Sequence, residues 1–256
     1  MIPALGGLGY RLARYLTRTD EEQESVATCS REALEVTLQP GDVLLIDGSS
    51  RISMAIKYIT QSTWSHAAIY IGKMESEEGG SGTKPLLIEA DVKEGVRTVP
   101  LSTYCQNHTR ICRPVGLAAK ETQQVIDFMK ERLGYKYDLK NIFDLARYLI
   151  QNPPVPQKYR RRLLALGSGD PTKAICSSLI AQAFQTVKYP ILPSIDIDES
   201  SSKAEISSQK EILHIRHHSL FAPRDFDVSP YFQIVKPSLQ HGFDHHKLKW
   251  AGKDDV

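Results

Sequence analysis

The spacing of the apolar residues changes its period part-way along the chain. In the first half, apolar side chains alternate between two faces, as in "WSHAAIYIG" (64–72), or form short runs, as in "PGDVLLID" (40–47). Both patterns predict strands. From residue 118 onward, apolar residues recur at the spacing of a helix face. Strands grouped ahead of helices are typical of an α+β domain, with an antiparallel sheet packed against helices.

The predicted elements follow this division, with one early helix that begins on a serine cap. The polar, glycine-rich connection 73–84 predicts a hairpin between the strands on either side of it. A segment rich in Ser, Asp and Glu (193–210) predicts a flexible surface loop. The predicted strands are 40–47, 64–72, 85–92, 95–101, 109–115 and 231–237, and the predicted helices are 49–62, 118–133, 138–151 and 175–187.

The length and composition suit one domain with a substantial core. The chain has 256 residues, of which 41% are hydrophobic. We assign this domain to residues 39–237, preceded by an amphipathic helix and linker (1–38) and followed by a polar tail (238–256). A net charge of +2 gives no bulk attraction for nucleic acid, and no segment reaches the roughly 18 consecutive apolar residues of a membrane span.

The N-terminal segment carries leucines at helical spacing and three arginines outside that stripe. A helix of this kind packs on its own domain or lies on a membrane surface through residues 2–18, and packing is the commoner case. The segment lacks the compact apolar core and the cleavage site of a signal peptide. We therefore expect a cytoplasmic protein, with peripheral contact to the inner face of the membrane as the open alternative.

The four cysteines show no paired spacing, so free thiols in a reducing compartment are expected. Cys29, Cys105 and Cys112 have no special setting. Cys176 stands at the head of the apolar helical run "AICSSLIAQAF" (174–184). It is either a small core residue on that helix face or a nucleophile near a helix start, where the dipole favours a thiolate. Asp170-Pro171 is an alternative start, which would place Cys176 in the second turn.

A nucleophilic cysteine needs a base, and the base needs a polar partner that orients it. His66 alternates onto the strand face opposite Ile69 and Ile71, and Glu89 lies in the next strand. If the two strands form the predicted hairpin, we expect His66 directly across from Glu89, roughly 5 Å apart at Cβ. Asp91 shares the face of Glu89 and is the reserve candidate. Taken alone, each of these residues is more often structural than catalytic.

The chain nevertheless resembles a known family through "PGDVLLIDG", "SMAIKYITQSTWSHAAIYIG", "LIEADVKEGVRTVPL", "GYKYD" and "AICSSLIAQAF". It is similar to the YiiX-type permuted papain-like cysteine hydrolases of the NlpC-like papain superfamily, which are related to the lecithin:retinol acyltransferase-like proteins. The resemblance runs from about residue 40 to 184, with a closing segment at 220–237. It implies a circularly permuted papain-like fold, in which the histidine strand precedes the cysteine helix.

The resemblance also implies roles and substrates. Cys176 would be the nucleophile, His66 the base, Glu89 the third polar residue and Tyr137 an additional tyrosine near the cysteine, without metal or cofactor. Ser178 departs from the acidic residue expected there, which leaves substrate contacts open. The implied substrates are a peptide or murein fragment cleaved through a thioester, or alternatively a lipid in acyl transfer or phospholipase chemistry. A catalytically silent membrane-surface binding module is the non-enzyme alternative.

Two further patterns carry weaker signals. The histidine clusters "HIRHH" (214–218) and "HGFDHHK" (241–247) lie in polar segments without a cysteine or a clear carboxylate set, and we interpret them as solvated rather than metal-binding. The basic run at 158–162 is interpreted as a solvated helix face, with an anionic lipid or glycan as the other candidate contact.

Overall fold

A computed structural model describes residues 27–75, 83–91, 94–136, 176–197, 211–214, 221–240 and 242–247. Helices and strands follow the predicted division. The helices are α1 (Arg31–Thr37), α2 (Arg51–Thr60), α3 (Ala119–Lys130), α4 (Cys176–Thr186), α5 (Pro223–Asp227) and α6 (Pro237–Gln240). The strands are β1 (Val43–Ile46), β2 (His66–Glu75), β3 (Thr83–Asp91), β4 (Gly95–Pro100), β5 (Thr109–Pro114), β6 (Ser194–Ile197), β7 (Glu211–His214) and β8 (Phe232–Val235).

The main sheet has six strands in the order β4-β3-β2-β1-β5-β8, and every neighbouring pair is antiparallel. Its centre is β1, the apolar run VLLI, which is buried on both faces. Burial of each such side chain contributes about 1.5–3 kcal/mol to folding. The predicted α+β class, with an antiparallel sheet packed against helices, is confirmed.

Alternation along β1 and β2 divides the core into two layers. Val43, Leu45 and Ile69 face a layer that α3 and α4 cover. Leu44 and Ala68 face a second layer, which Leu34 of α1 helps to close. This two-sided burial explains why β1 reads as a continuous apolar run rather than as an alternating one.

A second, two-stranded sheet corrects one prediction. Residues 193–210 were expected to be a flexible loop throughout, but β6 pairs with β7 in antiparallel register, with Ser194 opposite His214 and Ile197 opposite Glu211. The sequence SIDI alternates apolar and polar residues, which is a strand pattern inside a polar segment. Residues 198–210 lie outside the described part of the chain.

Some of the remaining predicted segments lie within the described residues, and others lie outside them. The predicted helices 118–133 and 175–187 correspond to α3 and α4, and α3 is a few residues shorter than predicted. Residue 175 and the alternative helix start at Asp170-Pro171 lie outside the described residues. The predicted helix 138–151, the basic run 158–162 and most of the N-terminal amphipathic segment fall outside the described residues. Among the helices that are described, none combines the length and apolar character needed to cross a membrane.

Candidate active site

His66 is the first residue of β2, and its two preceding neighbours fix the start of that strand. Trp64 is buried, and its indole Nε1 donates to Asp227 Oδ2 at 2.9 Å. Ser65 is also buried, and its Oγ accepts from the backbone N–H of Gly48 at 2.9 Å. Because both contacts reach distant segments, the backbone that carries His66 is held from two sides.

Glu89 hydrogen-bonds His66, but not from the position that the sequence suggested. The His66 Nε2 to Glu89 Oε2 distance is 2.9 Å, with the carboxylate 1% exposed and the imidazole 22% exposed. The residue opposite Glu89 in the register is Ala68, not His66, so the expected direct pair was wrong by two residues. A shift of two keeps both side chains on one face, and a glutamate is long enough to span the diagonal.

The reserve candidate for orienting His66, Asp91, hydrogen-bonds a backbone group of the next turn. The same register puts Asp91 nearer than Glu89 to the level of His66 along the strand. Its Oδ1 accepts from the backbone N–H of Glu94 at 2.9 Å, across the turn between β3 and β4. In the described structure Asp91 therefore shapes that turn, and Glu89 is the carboxylate that contacts the imidazole.

Cys176 reaches His66 from α4. This helix packs against β2, β3 and α3, and Cys176 is only 4% exposed, in the same apolar cluster as Leu179 and Ile180. Its thiol nevertheless acts on the His66 imidazole and raises the pKa of that ring. Since His66 is the first residue of its strand, its ring lies at the end of the sheet, where a side chain from the helix layer can contact it.

The electrostatics of His66 follow from these two neighbours. Burial disfavours the charged ring, but the Cys176 sulfur and the Glu89 carboxylate outweigh burial and raise the pKa of His66 to about 10. For Glu89, burial also disfavours charge, and the hydrogen bond and charge of His66, with Tyr104 and Arg97, lower its pKa to about 2. The arrangement stabilises a protonated imidazole beside the ionised Glu89 carboxylate.

Two residues of this network were missed by the sequence reasoning. Arg97 Nε donates to Glu89 Oε1 at 2.9 Å, Arg97 Nη2 lies 2.9 Å from the same oxygen, and the Tyr104 hydroxyl donates to Glu89 Oε2. Arg97 was foreseeable, since a short turn joins β3 to β4 and sets Glu89 opposite Arg97. Tyr104 gave no signal, because it ends a short 3-10 helix beyond β4.

The other predicted tyrosine, Tyr137, lies outside the described residues. The residue flagged as a departure, Ser178, is buried on α4, and the neighbouring Ser177 donates from Oγ to the Phe221 carbonyl at 2.8 Å. This contact ties the cysteine end of the helix to the segment that leads into α5 and β8.

All four cysteines are free thiols, as expected. Burial raises the pKa of Cys29, Cys105 and Cys112, so these three stay protonated at neutral pH. Of the four, Cys176 is the one whose thiol raises the pKa of His66.

One group in the C-terminal segment could bind a metal ion. Asp244, His245 and His246 place one ligand atom each within 4.8 Å of one another, and all three side chains are exposed. The interpretation of these histidines as solvated stays a prediction. Residues 215–218 and 241 lie outside the described parts of the chain.

Parts of the chain are similar in sequence to a known protein family and to individual proteins. Residues 37–148 match the sequence model of a family described as permuted papain-like amidase enzymes, YaeF/YiiX, C92 family. The chain resembles the permuted papain-like amidases. This is the resemblance that its sequence motifs predict, and it supports an enzyme that is a hydrolase of the amidase or peptidase kind. The matched stretch contains His66 and Glu89 and ends before Cys176.

Two individual proteins are similar to the chain. The probable lipoprotein peptidase YaeF of Escherichia coli (strain K12) is 19% identical over 224 residues, which cover 82% of this chain and 75% of YaeF. The crystal structure of metalloprotein yiiX from Escherichia coli O157:H7 is 18% identical, with a TM-score of 0.47, and the match covers 77% of this chain and 96% of that one.

Proposed function

We propose that this chain is a cysteine amidase or peptidase in which Cys176 is the nucleophile, His66 the general base and acid, and Glu89 the residue that orients His66. The observation that carries the proposal is one imidazole that hydrogen-bonds the buried Glu89 carboxylate and whose pKa the Cys176 thiol raises. A base held between a nucleophile and an orienting carboxylate is the arrangement that nucleophilic cysteine catalysis requires.

The first half of the reaction forms a thioester. Glu89 engages Nε2 of His66, which leaves Nδ1 for the Cys176 sulfur. The imidazole takes the thiol proton, and the thiolate attacks the carbonyl carbon of the substrate amide. As the tetrahedral intermediate collapses, the C–N bond breaks and the imidazolium gives its proton to the leaving amine. The acyl group is then bound to Cys176 as a thioester.

The second half returns the free enzyme. His66 takes a proton from water, the resulting hydroxide attacks the thioester carbonyl, and the carboxylic acid leaves as Cys176 regains a proton from His66. In our proposal, backbone N–H groups in the first turn of α4 stabilise the oxyanion of both steps. Tyr137 is retained as a further donor on the strength of the family resemblance.

We propose a peptide or lipoprotein amide as the substrate. The name of the relative YaeF, a probable lipoprotein peptidase, favours an amide substrate. Acyl transfer from a lipid ester would use the same nucleophile, so the acyl group found on Cys176 distinguishes the two chemistries.

The test is the reactivity of the four thiols within one protein. Iodoacetamide is applied near neutral pH, and the alkylation of each cysteine is followed by peptide mass spectrometry. We expect Cys176 to react much faster than Cys29 and Cys105, whose raised pKa values keep them protonated and whose partial exposure makes them fair references. His66→Gln is expected to remove this difference, and His246→Gln, at an exposed histidine of the C-terminal segment, is the matched control. Equal, slow labelling of all four cysteines would reject the proposal.

A second measurement identifies the acyl donor. The protein is incubated with a lipopeptide, a murein peptide and a phospholipid, and the intact mass is recorded after acid quenching. Our proposal requires an adduct from an amide donor that is absent in Cys176→Ala and still forms in Cys112→Ala. An adduct from the phospholipid alone would indicate a lipid acyltransferase instead.

A further inference from the structure

The carboxylate of Glu89 has more partners than its contact with His66 requires. One oxygen, Oε2, accepts from both His66 Nε2 and the Tyr104 hydroxyl, while Oε1 accepts from Arg97 Nε and forms an ion pair with Arg97 Nη2. The carboxylate is 1% exposed, so protein groups rather than water satisfy it. With donors on both oxygens, rotation of the carboxylate about its last side-chain bond would break at least one of these contacts.

We propose that Tyr104 and Arg97 are positioning residues that hold Glu89 ionised and in one orientation, so that its Oε2 stays directed at His66. This inference rests on the proposed function, because it concerns the carboxylate that orients the base. Neither residue contacts Cys176 in the described hydrogen bonds, so both act through Glu89.

Tyr104 is suited to this role by its own packing. It ends the short helix Leu101–Tyr104 directly after β4 and packs on the second core layer. Its ring lies 6.0 Å from the His66 ring, tilted by 46°. Burial and the neighbouring Glu89 charge raise the pKa of its hydroxyl, so the group is always a donor towards the carboxylate. The hydroxyl thus stays protonated near neutral pH and shares Oε2 with the imidazole.

Arg97 acts on the other oxygen and supplies charge. Its guanidinium is one-third exposed and also pairs with Glu94, which is 62% exposed. Arg97 therefore balances the Glu89 charge from the solvent side, while Tyr104 and His66 engage Oε2 from within. A lysine at this position would keep the charge but lose the planar fork that contacts Oε1 twice.

The experiment compares Tyr104→Phe with Tyr189→Phe. Each substitution removes one hydroxyl and keeps the ring, and the Tyr189 hydroxyl donates to the backbone carbonyls of Val115 and Tyr231, away from His66. The first readout is an NMR pH titration of the Glu89 side-chain carboxyl carbon, assigned with Glu89→Gln. The second readout is the rate of Cys176 alkylation by iodoacetamide.

We expect Tyr104→Phe to raise the midpoint of the Glu89 titration by about one pH unit and to slow alkylation about tenfold, since a hydrogen bond to a charged group is lost. Tyr189→Phe is expected to change neither readout. Arg97→Gln should raise the same midpoint, and Arg97→Lys should restore part of the difference. A merely structural role would alter the unfolding midpoint of both tyrosine variants and leave the carboxyl titration in place.

The two readouts separate the two proposals. If Cys176 in the unchanged protein reacts no faster than Cys29 and Cys105, the proposed function fails, while the carboxyl titration still tests whether Tyr104 and Arg97 hold Glu89. The positioning role is overturned if Cys176 is alkylated fast but the Glu89 titration midpoint is the same in Tyr104→Phe, Arg97→Gln and the unchanged protein.

Discussion

Two carboxylates of this protein are equally buried but differently placed. Glu89 and Asp42 are each 1% exposed, and each pairs with an arginine. Asp42 accepts from Arg113 through both oxygens, at 2.9 and 2.7 Å, and from the backbone N–H of Gln39. None of these donors titrates near neutral pH. Glu89 additionally contacts His66, which does titrate and which contacts Cys176.

The difference teaches that burial and an ion pair do not by themselves mark a functional carboxylate. Burial raises the pKa of Asp42 in spite of Arg113, whereas the pKa of Glu89 is lowered to about 2 because His66, Tyr104 and Arg97 together outweigh burial. Asp42 joins the start of β1 to β5 through Arg113 and serves the fold. Glu89 also pairs with an arginine, but its charge in addition stabilises the protonated form of His66.

The largest effect that would sharpen this comparison is the loss of the Glu89 charge. Glu89→Gln keeps the size of the side chain but removes the anion that stabilises protonated His66. We expect Cys176 alkylation near neutral pH to slow about thirtyfold, towards the rate of an ordinary thiol that is only a few per cent ionised. The measurement is the second-order rate constant with iodoacetamide. A fall of less than about tenfold would show that Glu89 is structural, as Asp42 is.

The reverse expectation holds for Asp42→Asn. This change leaves Arg113 facing a neutral amide, and breaking a buried pair in this way costs about 3 kcal/mol of unfolding free energy, with part of the loss recovered because Arg113 is one-fifth exposed. Urea unfolding measures this loss. Alkylation of Cys176 per folded molecule should stay unchanged. If Asp42→Asn were as stable as the unchanged protein but its Cys176 were alkylated slowly, the roles we assign to the two carboxylates would be reversed.

The sequence allowed the face shared by His66 and Glu89 to be predicted, because alternation in each strand decides which side chains lie together. It did not allow their register to be predicted. The connection at 76–82 has too many residues to fix how β2 and β3 align, and a bulge between Tyr70 and Gly72 adds one more residue to β2. A diagonal contact instead of a direct one is the result.

Of the two further partners of Glu89, the sequence could have predicted Arg97 but not Tyr104. The turn between β3 and β4 is short, and Gly95, with φ of +80° and the Tyr135 carbonyl against it, closes that hairpin. Arg97 is therefore opposite Glu89 for a local reason that the sequence contains. Tyr104 reaches Glu89 only through the three-dimensional course of the chain after β4, which no periodicity encodes.

The pH dependence of stability gives a smaller, signed test. The folded-state pKa of Glu89 lies near 2, below its ordinary value of 4.5. Ionised Glu89 therefore stabilises the fold above pH 4.5, and this contribution, on the order of 2 kcal/mol, is lost as pH falls towards 2. Glu89→Gln should lack this loss, so its urea midpoint should fall less between these pH values. Asp42, whose pKa is raised, acts with the opposite sign, and Asp42→Asn should not flatten the profile. Parallel profiles for Glu89→Gln and the unchanged protein would contradict the assignment.

The smallest expected effect concerns the outer partner of Arg97. Glu94 is 62% exposed, and exposed ion pairs contribute less than about 1 kcal/mol. In Glu94→Gln, Arg97 keeps both contacts to Glu89 Oε1, so alkylation of Cys176 should stay within about twofold of the unchanged protein and the urea midpoint should barely move. Comparing this rate with that of Arg97→Gln separates two effects of Arg97: its ion pair with the buried Glu89 and its ion pair with the exposed Glu94. A large loss in Glu94→Gln would mean that Arg97 is held in place from outside, and that the buried carboxylate depends on a solvent-exposed pair in a way that Asp42 does not.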